Sequence, residues 1–134
     1  MKFMVPTKDP KVIEGIFQKL FEELFADEDL KKNLLGINKV VKIKYERPEV
    51  VIYLDFSDEG SRVLFDVDGV TSPSATLEMD WETAHKLWSG TLDLIPALMT
   101  ERVRVGGEVE QLVALKSMYG KATELYKDII SSIS

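Results

Sequence analysis

Apolar side chains recur at three- and four-residue steps near the start of the chain and at two-residue steps from Val41 onward, so the pattern separates helices from strands. Ile13, Ile16, Phe17, Leu20, Phe21, Leu24 and Phe25 fall on one helical face, opposite Glu14, Lys19, Glu22 and Glu23. Asp9 stands where an N-cap belongs, and Pro10 occupies the first helical position, where its missing N–H costs nothing. A short second helix is predicted from Asp27 to Leu35, ending at Gly36.

From Lys39 the period becomes two. Val41, Ile43 and Tyr45 alternate with Lys42 and Lys44, and Pro48 breaks the run. Val50, Ile52, Leu54 and Phe56 alternate with Val51, Tyr53 and Asp55; the Ser57 to Gly60 stretch reads as a hairpin turn, and Val63, Phe65 and Val67 follow. This is a three-strand antiparallel meander. After a longer connection from Asp68 to Ser74, Ala75, Leu77 and Met79 mark a fourth strand. Asp80 then caps a helix from Trp81 to Ser89 ended by Gly90. A short helix through Leu92 to Thr100 must hold Pro96 in its first turn or at a kink. Arg102 to Val105 alternates as a fifth strand, and Glu108 to Ile133 is again amphipathic.

These elements predict an α+β fold: a five-stranded mixed, mostly antiparallel sheet with helices covering one face. Charge adds a topological expectation. Strand one presents Lys42 and Lys44, strand five Arg102 and Arg104, and strand four Glu78 and Asp80. Opposite charges favour neighbouring strands and like charges disfavour them, so strand four should lie between strands one and five.

Composition narrows the function. A chain of 134 residues that is 45% hydrophobic is expected to form one domain with a real core, spanning residues 1–134. Without cysteine, and with one histidine, it offers neither thiolate chemistry nor a common zinc set, so no metal is expected. A net charge of -6 argues against nucleic acid, whose binding depends on clustered cations. No run approaches the roughly 18 apolar residues of a membrane span, so no stable membrane insertion is expected. With no leader pattern at the N-terminus, a cytoplasmic location is the simplest expectation.

The segment from Asp80 to Leu115 has a distinctive arrangement. An acid-capped helix ends in Gly90, and a second short helix carries Ala97-Leu98-Met99-Thr100. A basic alternating strand, Arg102-Val103-Arg104-Val105, then runs into Gly106-Gly107-Glu108, with Leu112 and Leu115 beyond. This arrangement resembles the sterol carrier protein type two family, and the preceding order of helices and meander is similar to that family over nearly the whole chain. The resemblance implies a hydrophobic tunnel between sheet and helices, no cofactor, and an apolar lipid as partner. That lipid would be a fatty acid, an acyl chain or a sterol- or isoprenoid-like molecule, bound and transferred without catalysis.

The implied walls are Phe17, Phe21, Leu24, Ile52, Leu54, Phe65, Leu77, Met79, Trp88, Leu98, Met99, Val105, Leu115, Met118 and Leu125. On sequence alone the same residues also read as ordinary close-packed core. Where the family often has glutamine and glycine, this chain has Ile95 and Glu101. A polar anchor is thereby lost, and a flexible aliphatic lipid is as well accommodated as a sterol.

The remaining candidates are weaker. His85 shares a helix face with Trp81 and Trp88, and lacks the nucleophile or carboxylate partner of a catalytic motif. Asp66 and Asp68 flank Val67 with no third ligand, and Gly106-Gly107 precedes acids that repel phosphate. Gly120 is either a hinge for a C-terminal lid or a break between two shorter helices. Val51, Tyr53 and Leu64 point outward as a patch for a homodimer or an enzyme partner, which gives the alternative role of an accessory or dimerisation module presenting hydrophobic substrates.

Overall fold

The computed structural model describes residues 7–28, 40–55, 62–65, 73–107 and 113–133; within these, the side chains at 62, 64, 65, 94, 113–118 and 133 fall outside the description. Helix α1 (Pro10–Phe25) begins as its residues dictate, with the Asp9 carboxylate accepting from the Lys11 N–H at 2.9 Å. All seven predicted apolar positions are buried. Burial of each such side chain contributes about 1.5–3 kcal/mol, so packing of this face, more than intrinsic propensity, holds the helix. The helix predicted from Asp27 to Leu35 lies outside the described residues beyond Glu28, as do the turn at 57–60 and most of the connection at 68–74.

Strands β1 (Val40–Glu46), β2 (Val50–Asp55), β3 (Arg62–Phe65), β4 (Ala75–Asp80) and β5 (Arg104–Gly107) form an open mixed sheet in the order β3-β2-β1-β4-β5. β1 and β4 are parallel, and the other pairs are antiparallel. The registers set apolar side chains in rows across one face: Leu54, Val41 and Ala75; Ile52, Ile43, Leu77 and Val105; Val50, Tyr45 and Met79. β4 does lie between β1 and β5, and the charges behave as the pairing argument requires. Glu78 stands opposite both Lys44 and Arg104, and the Arg104 guanidinium reaches Glu78 at 3.8 Å and Glu46 at 2.8 Å.

Helices α2 (Trp81–Trp88), α3 (Leu94–Met99) and α4 (Val113–Ile133) complete the order. α1 packs on β2 and β3, and α4 packs on α1 and α2. Pro96 sits in the first turn of α3, where it costs no helical hydrogen bond.

Three sequence expectations are corrected. β5 starts at Arg104, not Arg102, because the N–H groups of Arg102 and Val103 both bond to the Ala97 carbonyl and tie that stretch to the end of α3. Arg102 therefore takes no part in the strand's charge pairing. α4 runs unbroken through Gly120, which excludes the reading of two shorter helices. Tyr53 is buried: it pairs with Lys42, whose ammonium lies 5.9 Å from the ring centroid, and its neighbours Val40 and Asp55 on that face are buried too. Val51 is half-buried, so these two residues do not form the exposed patch expected of them; the Leu64 side chain lies outside the described residues.

Gly120 is exposed, and a Cβ there would meet no atom within 4 Å. Gly120→Ala is expected to stabilise the protein by about 0.5–1 kcal/mol, read as a higher denaturant midpoint at unchanged slope. A loss of stability would show that the native helix bends at this point.

Candidate functional site

The apolar layer between sheet and helices combines fully buried rings with partly buried aliphatic side chains. Phe17 is the hub of an aromatic cluster, its ring centroid 5.2 Å from Tyr45, 5.7 Å from Trp88, 5.8 Å from Tyr126 and 6.0 Å from Trp81. These rings come from α1, β1, α2 and α4, so the cluster joins the sheet to three helices. Its polar atoms are satisfied internally, as burial demands. The Trp88 indole donates to the Tyr45 hydroxyl at 2.7 Å and the Trp81 indole to the Thr7 carbonyl at 2.6 Å. The Tyr119 hydroxyl donates to the Leu87 carbonyl. Among the described residues no buried side-chain polar atom lacks a partner.

His85 belongs to this cluster. It is buried against the rings of Trp81 and Tyr126, and its Nδ1 lies 2.6 Å from the Tyr126 hydroxyl. Burial pushes the hydroxyls of Tyr45 and Tyr126 well above the ordinary tyrosine value, so both stay neutral. Neither is an anion that could act as a base. Sequence reasoning placed His85 between tryptophans; its actual partner is 41 positions away on α4, beyond any local pattern.

Leu92, Leu98 of α3, Val105 of β5, and Leu125 and Ile130 of α4 are partly buried and pack against this core. Of the expected walls, Phe17, Phe21, Leu24, Ile52, Leu54, Leu77, Met79 and Trp88 join one buried core, while Leu98, Val105 and Leu125 are partly buried and pack against it. Met99 is 79% exposed and faces away from the core. Its neighbours Ala97 and Leu98 take the inward positions of a helix only six residues long. The side chains of Phe65, Leu115 and Met118 lie outside the described residues. Leu92 and Ile130, which also pack against the core, were not among the expected walls, although Ile130 continues the amphipathic run of the C-terminal segment four positions after Tyr126.

The described residues also form a concavity that was not foreseen. A polar cleft of about 330 Å³ opens where the β1–β2 turn, the start of α2 and residues 101–104 come together. Its bases Arg47, Lys86, Arg102 and Arg104 are matched by four acids. Arg47 (φ 56°) and Glu101 (φ 60°), the non-glycine residues with left-handed backbone among those described, both line it. Glu101 occupies the position where the resemblance leads one to expect glycine, and the backbone conformation there is one that glycine adopts without strain.

Asp80 anchors the cleft, one oxygen accepting from the Thr83 N–H and the other from Arg47, each at 2.9 Å. Burial alone would raise its pKa, but Thr83 and Arg47 outweigh that and hold it below the usual 3.8. Because the folded value lies below the unfolded one, the stabilisation is present in full above about pH 4 and is lost as pH falls through the folded value. Asp80→Ala is expected to cost about 1 kcal/mol at neutral pH, mostly the lost cap. It should also remove part of the acid limb of the stability profile, measured by urea unfolding between neutral and acid pH.

Among the described residues, no helix is long and apolar enough to cross a membrane. A search of curated proteins returns no match. The chain superposes on sterol carrier protein 2 from Yarrowia lipolytica, apo form, with TM-score 0.65 and 14% identity, covering 92% of this chain and 98% of that one. It is also similar to the UbiJ-SCP2 ubiquinone synthesis protein, with TM-score 0.62, 20% identity, and coverage of 93% and 95%. With the sec-alkylsulfatase Pisa1 from Pseudomonas sp. the TM-score is 0.51 at 16% identity, and 81% of this chain covers 16% of that one. At such identities these likenesses show a shared fold. The profile of the SCP-2 sterol transfer family matches residues 17–119, well over half of the sequence, and the chain therefore belongs to that family.

Proposed function

We propose that the protein binds an apolar lipid in a tunnel that opens beside Leu98, Val105 and Leu125, and carries it without transforming it. The observation that supports this most is the unequal burial of the apolar side chains. The rings around Phe17 are buried and hydrogen-bonded, while Leu98, Val105 and Leu125, from α3, β5 and α4, are only partly buried. Family membership points to the same ligand class. Affinity would come from area removed from water, about 0.8 kcal/mol per buried methylene, a non-directional force that suits acyl chains and sterol- or isoprenoid-like molecules alike. The inner wall would be Leu77, Met79, Ile52 and Leu54; Ile95 and Met99, both exposed, lie outside the proposed site.

The test is native mass spectrometry of the protein as isolated, with extraction of bound lipid, followed by displacement of a fluorescent fatty acid. A co-purifying lipid and saturable displacement are expected. A ligand-free protein that fails to bind either a fluorescent fatty acid or a fluorescent sterol would overturn the reading.

A second reading, an accessory module that presents hydrophobic substrates to an enzyme, draws on the match to a small part of the much longer Pisa1 chain. It predicts that the bound lipid is released only on addition of an enzyme partner.

A further inference from the structure

The polar cleft touches the core at one residue. Of the ten residues that line it, nine are polar or charged and the tenth is Met79. Met79 is only 1% exposed and belongs to the buried apolar cluster. Side chains two apart on a strand share a face, so Met79 stands next to Leu77 on β4, and Leu77 is paired with Val105. Methionine is unbranched and adapts to irregular shapes, which suits a side chain that must give way between a cleft and an apolar interior.

The charges of the cleft are not equivalent. Arg47 is paired with Asp80, Lys86 with Glu82 and Arg104 with Glu46. Arg102 and Glu101 remain. Both are exposed, and neither side chain makes a hydrogen bond or ion pair among the described residues. Glu101 is also held at φ 60°, a conformation that is costly for a non-glycine residue and that recurs at binding sites, where the surroundings impose it.

We propose that the cleft seats the head group of a single-chain zwitterionic amphiphile, with its anionic group on Arg102, its cationic group on Glu101 and its acyl chain passing Met79 into the core. The inference rests on the lipid-carrier reading and deepens it by naming the polar half of the ligand and the residues that select it.

The charges that remain select this class. One free base and one free acid are complemented in full by a head group that carries both signs, and the three internal ion pairs stay intact. An anionic head would face Glu101 as a like charge, and a cationic head would face Arg102, which disfavours both. The volume of about 330 Å³ lies at the small end of ligand sites, so the cleft holds a head group and leaves the chain to the core.

The experiment is displacement of a fluorescent fatty acid from the full chain by four competitors of matched chain length: lysophosphatidylcholine, the fatty acid, the monoacylglycerol and the alkyltrimethylammonium. Glycerophosphocholine, which has the head group without the chain, is the fifth. Lysophosphatidylcholine is expected to bind about threefold to thirtyfold more tightly than the monoacylglycerol, the range of two exposed ion pairs. Glycerophosphocholine should not compete, since the chain supplies most of the affinity. Arg102→Gln should shift the preference towards the alkyltrimethylammonium and Glu101→Gln towards the fatty acid, opposite shifts that a merely structural role would not produce. Glu101→Gly should give the same shift as Glu101→Gln and also raise the denaturant midpoint, because glycine adopts the left-handed backbone without strain.

Equal affinity for lysophosphatidylcholine and the monoacylglycerol, shifts of the same sign in the two glutamine variants, or competition by glycerophosphocholine as strong as that of lysophosphatidylcholine would overturn the inference and leave the carrier reading in place. Displacement by none of the amphiphiles would overturn both.

Discussion

Phe17→Ala is expected to destabilise the protein by about 3–5 kcal/mol, a large share of the 5–15 kcal/mol typical of a whole domain. Phe17 is fully buried, and its ring touches the aromatic side chains of β1, α2 and α4 as well as Phe21 on its own helix. Removing it leaves a void that those rings fill poorly, because Tyr45 is tethered to Trp88 and Tyr126 to His85. Phe17→Leu should cost much less. The measurement is urea unfolding of both variants. If the tunnel opens beside Leu98, Val105 and Leu125, the folded fraction of Phe17→Ala keeps wild-type affinity for a fluorescent fatty acid. A parallel loss of affinity would move the site to the aromatic cluster.

Gly107→Ala is the second change with a large expected effect. Gly107 pairs with Ala75 across β4 and β5 and has φ 75°. An added Cβ would lie 2.3 Å from the Ser74 carbonyl oxygen and 3.1 Å from the Ala75 Cα, both backbone atoms that cannot swing aside. The left-handed conformation alone costs a non-glycine residue roughly 1–2 kcal/mol, and relieving the clash requires β5 to part from β4. A total of about 3 kcal/mol or more is expected, with fatty-acid affinity falling as well because Val105 is carried on β5. Thermal unfolding and the displacement titration check both effects. Wild-type stability in this variant would mean that β4 and β5 are paired in another register.

Much of the fold is legible along the chain because local periodicity and capping report on it directly. The α1 face, the Asp9 and Asp80 caps and the alternation in β1, β2 and β4 are each set by residues within a few positions of one another. The place of β4 beside β1 and β5 was also readable, since Glu78 complements both Lys44 and Arg104. The start of β5 was not. The alternation of Arg102 to Val105 looks extended, but the carbonyl of Ala97 captures two of its N–H groups. A hydrogen bond to the end of the preceding helix leaves no mark on hydrophobic period.

For the candidate site the division is similar. Sequence by itself determined that large apolar faces on α1, the sheet and α4 must be buried together, because the hydrophobic effect acts on any side chain whatever its eventual neighbour. Only the tertiary structure decided how those faces divide. It drew Phe17, Tyr45, Trp88 and Tyr126 into one aromatic cluster, left Leu98, Val105 and Leu125 only partly buried, turned Ile95 and Met99 to solvent, and gathered Arg47, Asp80 and Arg102 around one cleft. Each of these outcomes depends on contacts between residues far apart in the chain, where shape and hydrogen-bond geometry select among side chains that a hydropathy pattern treats as equal.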